Sequence, residues 1–447
     1  MHIDFLLSVF EECKKDDAII WKGNIYSYKW LINSTEKWIK HIHEYKIEQS
    51  SIVAVQGDFS PNSVALILAL IDNNNIIVPL TQSVASNKDR FIEIAEVQHS
   101  ISIDDNDNTT YKSIDNVVTK DLLIKQQKRN QPGLVLFSSG STGEPKAAIH
   151  DFVAILNKYK IRKQKKRMLT FLLFDHIGGV NTLFYILSNG GCIITVQDRS
   201  PDSVLSIVEK YKVEILPTSP SFLNMVLLSE AYKRYDLSVL ERITYGTETM
   251  PESTLTAINR LFPRVVLQQT YGLSELGILR SKSKSSDSLW VKIGGEGFKT
   301  RVVDGMLQIK AESAMLGYLN APSPFTEDGW FMTGDEVEVE GDYYLIKGRR
   351  SEIINVGGQK VYPAEVESVI LQMDGVLDVI VTGEKNPILG KIVIAKVHLA
   401  DDEETVKDFS RRMKIFCKDK LQPFQIPQKI AIEQNDFTNS RFKKIRK

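Results

Sequence analysis

The sequence repeats one local pattern, in which a short apolar run rich in β-branched residues is followed by a helical segment and then by another such run. Residues 52–55 predict a strand, 63–72 a helix and 76–79 the next strand. The order returns with a strand at 192–196 and a helix at 201–211, which begins with a serine and a proline suited to a helix start. This alternation predicts an α/β fold with a largely parallel sheet and loops at the carboxyl ends of its strands.

Length and a change of pattern predict two domains. The 447 residues exceed what one compact core usually holds. After residue 325, short strands rich in aromatic and β-branched residues appear, and a Gly-Arg-Arg turn leads into an α+β pattern. We therefore expect a large N-terminal domain of layered, mostly parallel sheets with flanking helices at 1–348, and a small α+β domain at 349–447. The elements expected in the small domain are helices at 363–373 and 404–421 and strands at 376–382, 391–399 and 429–432.

Charge and hydropathy exclude some classes of function. Lysine plus arginine and aspartate plus glutamate number 56 each, so the net charge is zero and nucleic acid is not expected as a partner. The longest apolar run, 64–71, is far shorter than the ~20 residues of a membrane span, and it predicts a buried helix. The basic run 158–167 is interpreted as a solvated helix face or a surface loop.

The cysteines predict a reducing compartment. Cys13, Cys192 and Cys417 are odd in number, widely spaced and without a CxxC pair, so neither a disulfide framework nor a zinc site is expected. The acidic N-terminus also lacks the basic-then-apolar pattern of a secretion signal. We therefore expect a cytoplasmic location.

A loop rich in hydroxyls and glycines follows the apolar run 134–137. Glycines let the backbone approach a polyanion, exposed N–H groups and hydroxyls donate hydrogen bonds to it, and a lysine adds charge. The loop therefore predicts a phosphate clamp, although the GxxxxGK[ST] spacing of a P-loop is absent. Its residues are Ser138, Ser139, Gly140, Ser141, Thr142, Gly143, Glu144, Pro145 and Lys146.

The segment from Val135 to Lys146 resembles the AMP-binding signature of the adenylate-forming superfamily. That group includes acyl- and aryl-CoA synthetases, the adenylation domains of peptide synthetases, and luciferases. The further motifs of the family follow in its order from about Ile52 to the C-terminus. The resemblance implies a large ATP- and acid-binding domain and a small, mobile C-terminal lid.

Tyr271-Gly272-Leu273-Ser274-Glu275 resembles the YGxTE loop of the family. The resemblance implies that the tyrosine lies against adenine and that Ser274, which replaces the usual threonine, contacts the α-phosphate. Glu275 would hold Mg²⁺ during catalysis, a role that suits a hard oxygen ligand.

Two further motifs imply contacts to ribose and to the hinge. Residues 328–335 resemble GWxxTGD, so Asp335 would accept hydrogen bonds from both ribose hydroxyls. Arg349 is carried over as a ribose or phosphate contact, and Ser351 stands where the family often has the hinge aspartate. In CoA-using members the glycine-rich stretch after the hinge lies against the pantetheine arm.

The C-terminal tail departs most from the family pattern. The family ends in Gly-Lys-Ile, whose lysine neutralises charge during adenylation, whereas Lys443 here stands in place of the glycine. Alignment on Ile445 makes Lys444 the catalytic candidate, with Lys443 as the alternative.

The acid pocket is read from two segments. Residues 174–179 resemble the histidine-containing segment of acyl-CoA synthetases, which would place His176 beside the reacting carboxylate. An alternative alignment matches Phe174-Asp175 to the pair that grips the α-amino group in amino-acid-activating domains. The His-x-x-Gly spacing favours the first. The loop Gly246-Thr247-Glu248 would lie against adenine and the acyl group.

The resemblance implies a two-step reaction with ATP and Mg²⁺. A small-molecule carboxylic acid would attack the α-phosphorus and release pyrophosphate, and the acyl group would then pass to CoA or to the phosphopantetheine of a carrier protein acting in trans. The alternatives are a stand-alone adenylation domain for an amino or aryl acid, a catalytically silent nucleotide-binding protein, and a kinase-like phosphotransferase. The absence of Walker and kinase signatures disfavours the last.

Overall fold

A computed structural model describes residues 2–139, 144–401, 403–434, 437 and 444 of the protein. Two seven-stranded sheets, one six-stranded sheet and one five-stranded sheet make up the frame. The helices are Asp4–Glu12, Tyr28–Glu44, Pro61–Asp72, Lys88–Ile94, Asp121–Arg129, Phe152–Leu156, Ile177–Ser188, Pro201–Tyr211, Pro220–Ser229, Glu252–Leu261, Pro363–Ile370 and Val406–Cys417. Among the described residues, no helix is long and apolar enough to cross a membrane.

The first seven-stranded sheet carries the segment that enters the predicted phosphate loop. Its three central pairs are parallel, and antiparallel strands complete both edges. In spatial order its strands are Gly317–Tyr318, Pro145–Asp151, Gly133–Ser139, Ile76–Leu80, Ile52–Gln56, His99–Ile103 and Thr109–Ser113. The helix Pro61–Asp72 is apolar on every side, and its side chains from Ser63 to Ile71 are buried, as the sequence predicted.

The second seven-stranded sheet is parallel except for one edge hairpin. In spatial order its strands are Val266–Gln269, Arg242–Tyr245, Ile215–Thr218, Arg167–Leu169, Cys192–Ile194, Asp17–Trp21 and Asn24–Ser27. The helix Pro201–Tyr211 has the predicted bounds, and the hydroxyl of Ser200 accepts a hydrogen bond from the N–H of Ser203 as its cap. The predicted α/β class with parallel sheets is confirmed in these two sheets.

The third sheet is antiparallel throughout and differs from the mostly parallel expectation. Its strands are Ser281–Ser283, Trp290–Ile293, Tyr343–Arg349, Phe331–Glu340, Met306–Ala311 and Phe298–Val303. Short turns connect several of them, and a short turn permits only an antiparallel pair. A two-stranded ribbon, Gly272–Leu273 with Gly277–Ile278, lies between this sheet and the helix Ile177–Ser188.

Residues 354–432 form a separate sheet with its own apolar core. The strands are Gln359–Val361, Ile354–Val356, Gly390–Leu399, Val376–Asn386 and Lys429–Ile432. The helices Pro363–Ile370 and Val406–Cys417 cover it and are shorter than predicted, because turns follow both. The three cysteines are free and buried in the described structure.

Candidate active site

A cavity of about 190 Å³ lies where the second parallel sheet and the strand Gly133–Ser139 of the first sheet end. Carboxyl ends of parallel strands meet at one edge of a sheet, which is why loops that are distant in the sequence converge there. The predicted site residues that line it are Ser138, His176, Gly246, Thr247, Gly272, Ser274, Glu275 and Arg349.

Two further cavities adjoin this one through shared residues. A narrow cavity of about 90 Å³ is lined by Gly246, Thr247, Glu248, Tyr271, Gly272, Asp335 and Arg349, among others. A wider one of about 480 Å³ is lined by Ser138, Lys146, Glu275, Tyr318, Arg349 and Ser351, among others. Arg349 lines all three cavities, so its guanidinium stands at their junction.

Asp335 is held as a buried hydrogen-bond acceptor. It is 6% exposed, and the hydroxyl of Tyr271 donates to its Oδ2 at 2.5 Å while the Nε of Arg349 lies 3.5 Å from its Oδ1. The hydroxyl of Thr333 accepts from the Asp335 N–H at 3.0 Å and donates to the carbonyl of Leu307 at 2.7 Å, which fixes the turn. Burial and the adjacent Asp335 raise the pKa of Tyr271 well above its usual value, so the phenol stays a donor.

The charge of Arg349 is maintained by the acids around it. Burial lowers the pKa of the guanidinium, but the carboxylates of Asp335, Glu352 and Glu275 raise it, and the net pKa is above its usual value. The guanidinium therefore remains a cation, within electrostatic range of the carboxylates of Asp335 and Glu275.

Glu275 is oriented by a tyrosine that the sequence did not reveal. The hydroxyl of Tyr318 donates to Glu275 Oε1 at 2.6 Å, and the ammonium of Lys146 lies 5.3 Å from the centre of the Tyr318 ring. Burial, followed by the charge of Glu275, raises the pKa of Tyr318 above its usual value. No motif surrounds Tyr318, so only the fold identifies it.

The loop at 246–248 lines the first and second cavities with an unusual backbone. Thr247 has a φ of +74°, which is uncommon for a β-branched residue, and its buried hydroxyl has no hydrogen-bond partner in the described structure. A Cβ at Gly246 would lie 2.5 Å from the hydroxyl of Thr270, so only glycine fits. Strain and an orphaned polar atom at one position are typical of a ligand site.

The carboxylate of Glu248 accepts hydrogen bonds from the start of the helix Pro220–Ser229 and from Lys444. Its Oε1 accepts from the N–H and the hydroxyl of Ser221 at 2.8 and 2.5 Å, and its Oε2 accepts from the backbone N–H of Lys444 at 3.0 Å. The backbone of this loop is therefore the part that can face a nucleotide.

His176 begins the helix Ile177–Ser188 and lines the cavity. Its Nδ1 accepts from the N–H of Gly178 at 2.9 Å, so the neutral ring carries its proton on Nε2. A Cβ at Gly179 would lie 1.9 Å from the carbonyl oxygen of Leu173, which explains the second glycine. Asp175, the residue of the alternative alignment, is 4% exposed and accepts from the hydroxyl of Ser83 at 2.9 Å.

The ammonium of Lys444 does not face the central cavity. Its Nζ donates to the carbonyl of Val379 at 2.7 Å and lies 3.1 Å from Asp378 and 3.7 Å from Glu367, with the side chain 7% exposed. The predicted Gly140, Ser141, Thr142, Gly143 and Lys443 lie outside the described residues, and Ser139 pairs with Pro145 at the end of its hairpin.

Together, the loops at the carboxyl ends of parallel strands, a buried carboxylate beside a cation, and a separate α+β unit define a two-domain nucleotide-binding α/β protein. Comparison of the sequence with models of known protein families identifies the family. The chain belongs to the AMP-binding enzyme family, because the family model described as AMP-binding enzyme matches residues 9–304 and that of its C-terminal domain matches 365–441.

Curated relatives are similar over part of their length. Indoleacetate–CoA ligase of Aromatoleum aromaticum is 28% identical over 293 residues, which are 60% of this chain and 57% of the relative. Long-chain-fatty-acid–CoA ligase FadD13 of Mycobacterium tuberculosis is 26% identical over 323 residues, 67% of this chain and 63% of the relative. The chain thus spans about three-fifths of the length of these relatives.

Solved structures share the fold over nearly the whole chain. The anthranilate CoA ligase AuaEII in complex with anthranoyl-AMP has a TM-score of 0.81 and 17% identity, covering 97% of this chain and 93% of that one. The o-succinylbenzoate CoA synthetase of Bacillus subtilis has a TM-score of 0.77 and 19% identity, covering 99% and 97%. At these identities the similarity shows the fold alone.

Proposed function

We propose that this chain is an AMP-forming acid–thiol ligase that activates a carboxylic acid as an acyl-adenylate and passes the acyl group to a thiol. The observation that carries the proposal is the convergence of Asp335, Arg349 and Glu275 around connected cavities. Membership of the AMP-binding enzyme family supports the use of ATP. Both curated relatives described above are named CoA ligases, which supports CoA as the acceptor.

The nucleotide would lie across the second cavity. Asp335 would accept hydrogen bonds from the ribose hydroxyls, with Arg349 beside it as a ribose or phosphate contact. The loop 246–248 and Tyr271 would face the adenine, and the unpartnered hydroxyl of Thr247 supports a polar contact there. Ser274 would contact the α-phosphate, since it lines the central cavity beside Glu275.

The phosphates would extend into the wider third cavity. The ammonium of Lys146 and the guanidinium of Arg349 both line it, and the loop from Ser138 to Lys146 would hold the β- and γ-phosphates. Charge at this position lowers the barrier because it stabilises the negative charge that develops on the leaving pyrophosphate.

Glu275 fits a magnesium ion that is held mainly by the substrate. Mg²⁺ is typically bound by one or two carboxylates together with substrate phosphates and water. Glu275 supplies one such carboxylate, and its Oε2 accepts no hydrogen bond within the described ranges. Those ranges also contain no group of three or more side chains that would form an all-protein cage. The ion would supply charge neutralisation to the phosphates.

In the first step a carboxylate oxygen of the acid would attack the α-phosphorus, forming a P–O bond while the bond to pyrophosphate breaks. His176 lies where it can position that carboxylate, since it lines the same cavity as Glu275. Lys444 would neutralise the transition state from the small domain. In the arrangement observed here its ammonium is bound by the small domain's own carboxylates.

The ammonium of Lys444 lies away from the central cavity, which supports a second arrangement of the small domain in which it faces that cavity. We propose that the domain boundary lies at Arg349 and that the turn at 349–351 is the hinge. Rotation of the small domain about this hinge would withdraw Lys444 from the active site and present another face of the domain, which admits the thiol. Gly357 and Gly358, at φ of +57° and +87°, form a turn on that unit. CoA is the favoured acceptor, and the phosphopantetheine of a carrier protein in trans is the second. The three free cysteines support a reducing, cytoplasmic location.

Pyrophosphate exchange with a panel of carboxylic acids tests the proposal. Lys444→Ala should abolish exchange, while thioester formation from preformed acyl-adenylate survives. Lys429→Ala is the matched control, because Lys429 is an exposed lysine of the same unit that pairs with Glu384. If Lys444→Ala leaves both half-reactions unchanged, the assignment of Lys444 is wrong. If ATP binds and no acid releases pyrophosphate, the protein is a silent nucleotide binder.

A further inference from the structure

A lysine stands directly behind the wall of the central cavity. The Nζ of Lys158 donates to the Oδ1 of Asn181 at 2.7 Å and to the carbonyl of Ile278 at 3.0 Å, and both of these residues line the cavity. Within the described ranges no carboxylate lies within 4 Å of this ammonium. The sequence had assigned Lys158 to a solvated basic run, but its side chain is only partly exposed. It is a cation held by neutral acceptors.

The hydrogen bonds of Asn181 fix which way its amide points. Its Oδ1 accepts from Lys158 and also from the hydroxyl of Tyr159 at 3.0 Å. An ammonium can only donate, so the amide oxygen must face it and the NH₂ group must face away. That NH₂ group donates to no other described residue, and Asn181 lines the cavity. The cavity wall thus offers a donor with a positive charge behind it.

Other cations strengthen the positive potential at this point. Burial, followed by the charges of Lys163 and Arg280, lowers the pKa of Lys158 to about 7. The acidic neighbour of Arg280 is the exposed Glu296, whose carboxylate lies 3.8 Å from the guanidinium. A buried charge is costly unless it is paired, so an anion in the cavity would stabilise Lys158.

We propose that the acid activated by this chain carries a second carboxylate at the end remote from the reacting one, bound by Asn181 and neutralised by Lys158. The inference rests on the proposed function, because it names the class of acid that the same cavity takes. Asn181 lies in the helix that His176 caps, about 6 Å along the axis from the first helical residue, Ile177. The cavity of about 190 Å³ holds roughly six water volumes. The distance along the helix and the cavity volume both fit a short dicarboxylic acid.

Matched pairs of acids test this inference. Succinate, glutarate and adipate would be compared with butyrate, valerate and hexanoate in pyrophosphate exchange. The wild type should use the best diacid with a kcat/KM at least ~10-fold above its monoacid partner. Lys158→Met should lower the kcat/KM of the diacid ~10-fold or more, mainly through KM, and leave that of the monoacid unchanged. Lys158→Arg, which keeps the charge, should retain most of the preference.

Further variants separate recognition from stability. Asn181→Asp should abolish the diacid preference, because a carboxylate would repel the substrate and would pair with Lys158. Tyr159→Phe is the matched control, since it removes the neutral donor to the same oxygen and keeps the charge. Lys160→Met is a second control on an exposed neighbour. If Lys158→Met does not fold, Asn181→Asp and Lys158→Arg decide the question.

The outcomes distinguish this inference from the proposed function. A wild type that turns over monoacids as well as diacids overturns the inference and leaves the proposed function standing. Equal losses for both acids in Lys158→Met mean that Lys158 is structural, which also overturns it. If neutral polar acids such as the monomethyl esters match the diacids, the end group is not an anion and the inference is wrong. If no acid releases pyrophosphate, the proposed function fails and the inference fails with it.

Discussion

We expect that Thr247 lowers the stability of the ligand-free protein and strengthens nucleotide binding. Replacing it should therefore raise stability and weaken nucleotide binding. Its φ of +74° costs a β-branched residue about 1–3 kcal/mol. Its buried, unpartnered hydroxyl adds a desolvation cost of about 1–3 kcal/mol in the ligand-free protein. Thr247→Gly removes both costs and adds about 0.5–1 kcal/mol of backbone entropy. We expect a net stabilisation of about 1–5 kcal/mol without ligand.

The expected shift in melting temperature follows from the size of the large domain. An unfolding entropy of about 2.1 cal/mol/K per residue gives about 0.7 kcal/mol/K for about 350 residues. The ligand-free Thr247→Gly protein should therefore melt ~1.5–7 °C above the wild type. Loss of the hydroxyl and of the fixed backbone should lower kcat/KM for ATP by about tenfold, which corresponds to about 1.4 kcal/mol.

Thermal melts without ligand and ATP titrations of pyrophosphate exchange measure the two effects. Thr249→Gly is the matched control, because Thr249 lines the same second cavity at an ordinary φ. It should lose about 0.5–1 kcal/mol of stability. Thr247→Ser keeps the hydroxyl without the β-branch, and should retain ATP use. A Thr247→Gly protein that melts below the wild type, or that uses ATP equally well, would refute the reasoning.

Three further changes have defined outcomes. Asp335→Ala removes the buried carboxylate that we propose accepts hydrogen bonds from both ribose hydroxyls, worth about 1.5–3 kcal/mol each, so kcat/KM for ATP should fall by at least ~100-fold. Asp342→Ala, at an exposed position, should change nothing. Tyr318→Phe frees the Glu275 carboxylate and should raise the Mg²⁺ concentration that gives half-maximal exchange by ~10-fold. The pKa of Lys158 is lowered to about 7 in the folded protein and is higher in the unfolded chain. Above pH 7 the unfolded chain therefore binds one more proton than the folded protein, and the stability of the wild type rises with pH. Lys158→Met should therefore melt above the wild type at pH 6, and that advantage should shrink as the pH rises from 7 to 10.

The sequence alone predicted those parts of the site whose chemistry is contained in a few contiguous residues. The turn before Asp335 and the loop ending in Glu275 each carry their own glycine, hydroxyl and carboxylate. The position of the Glu275 loop was also predictable, because it follows a parallel strand of the second sheet. Asp335 lies in the antiparallel strand Phe331–Glu340, so its approach to that loop was not. The helix Pro201–Tyr211 was predicted with its bounds, since its cap and its first proline are local signals.

Contacts between distant segments could not be predicted in this way. Tyr318 reaches Glu275 across 43 positions, and Lys158 reaches the carbonyl of Ile278 across 120. No local pattern distinguishes such residues from their neighbours. The basic run 158–167 predicts solvation because charge density is high, whereas the 3₁₀ turn Asn157–Tyr159 directs one of its members against the cavity wall.

Lys444 shows that a motif which predicts a role for a residue does not predict where its side chain lies. Its ammonium lies 3.7 Å from Glu367, which is fully buried and also accepts from the N–H of Val381 at 2.9 Å. Removing one partner from a buried ion pair costs about 3–5 kcal/mol. If Lys444 moves to the nucleotide, as we propose, its contact with Glu367 is lost, and binding of ATP must offset that cost. If Lys444 neutralises charge during adenylation as proposed, the free energy of its present site contributes to the barrier of that step. Glu367, Asp378 and Val379, which form this site, are distant from the tail in sequence.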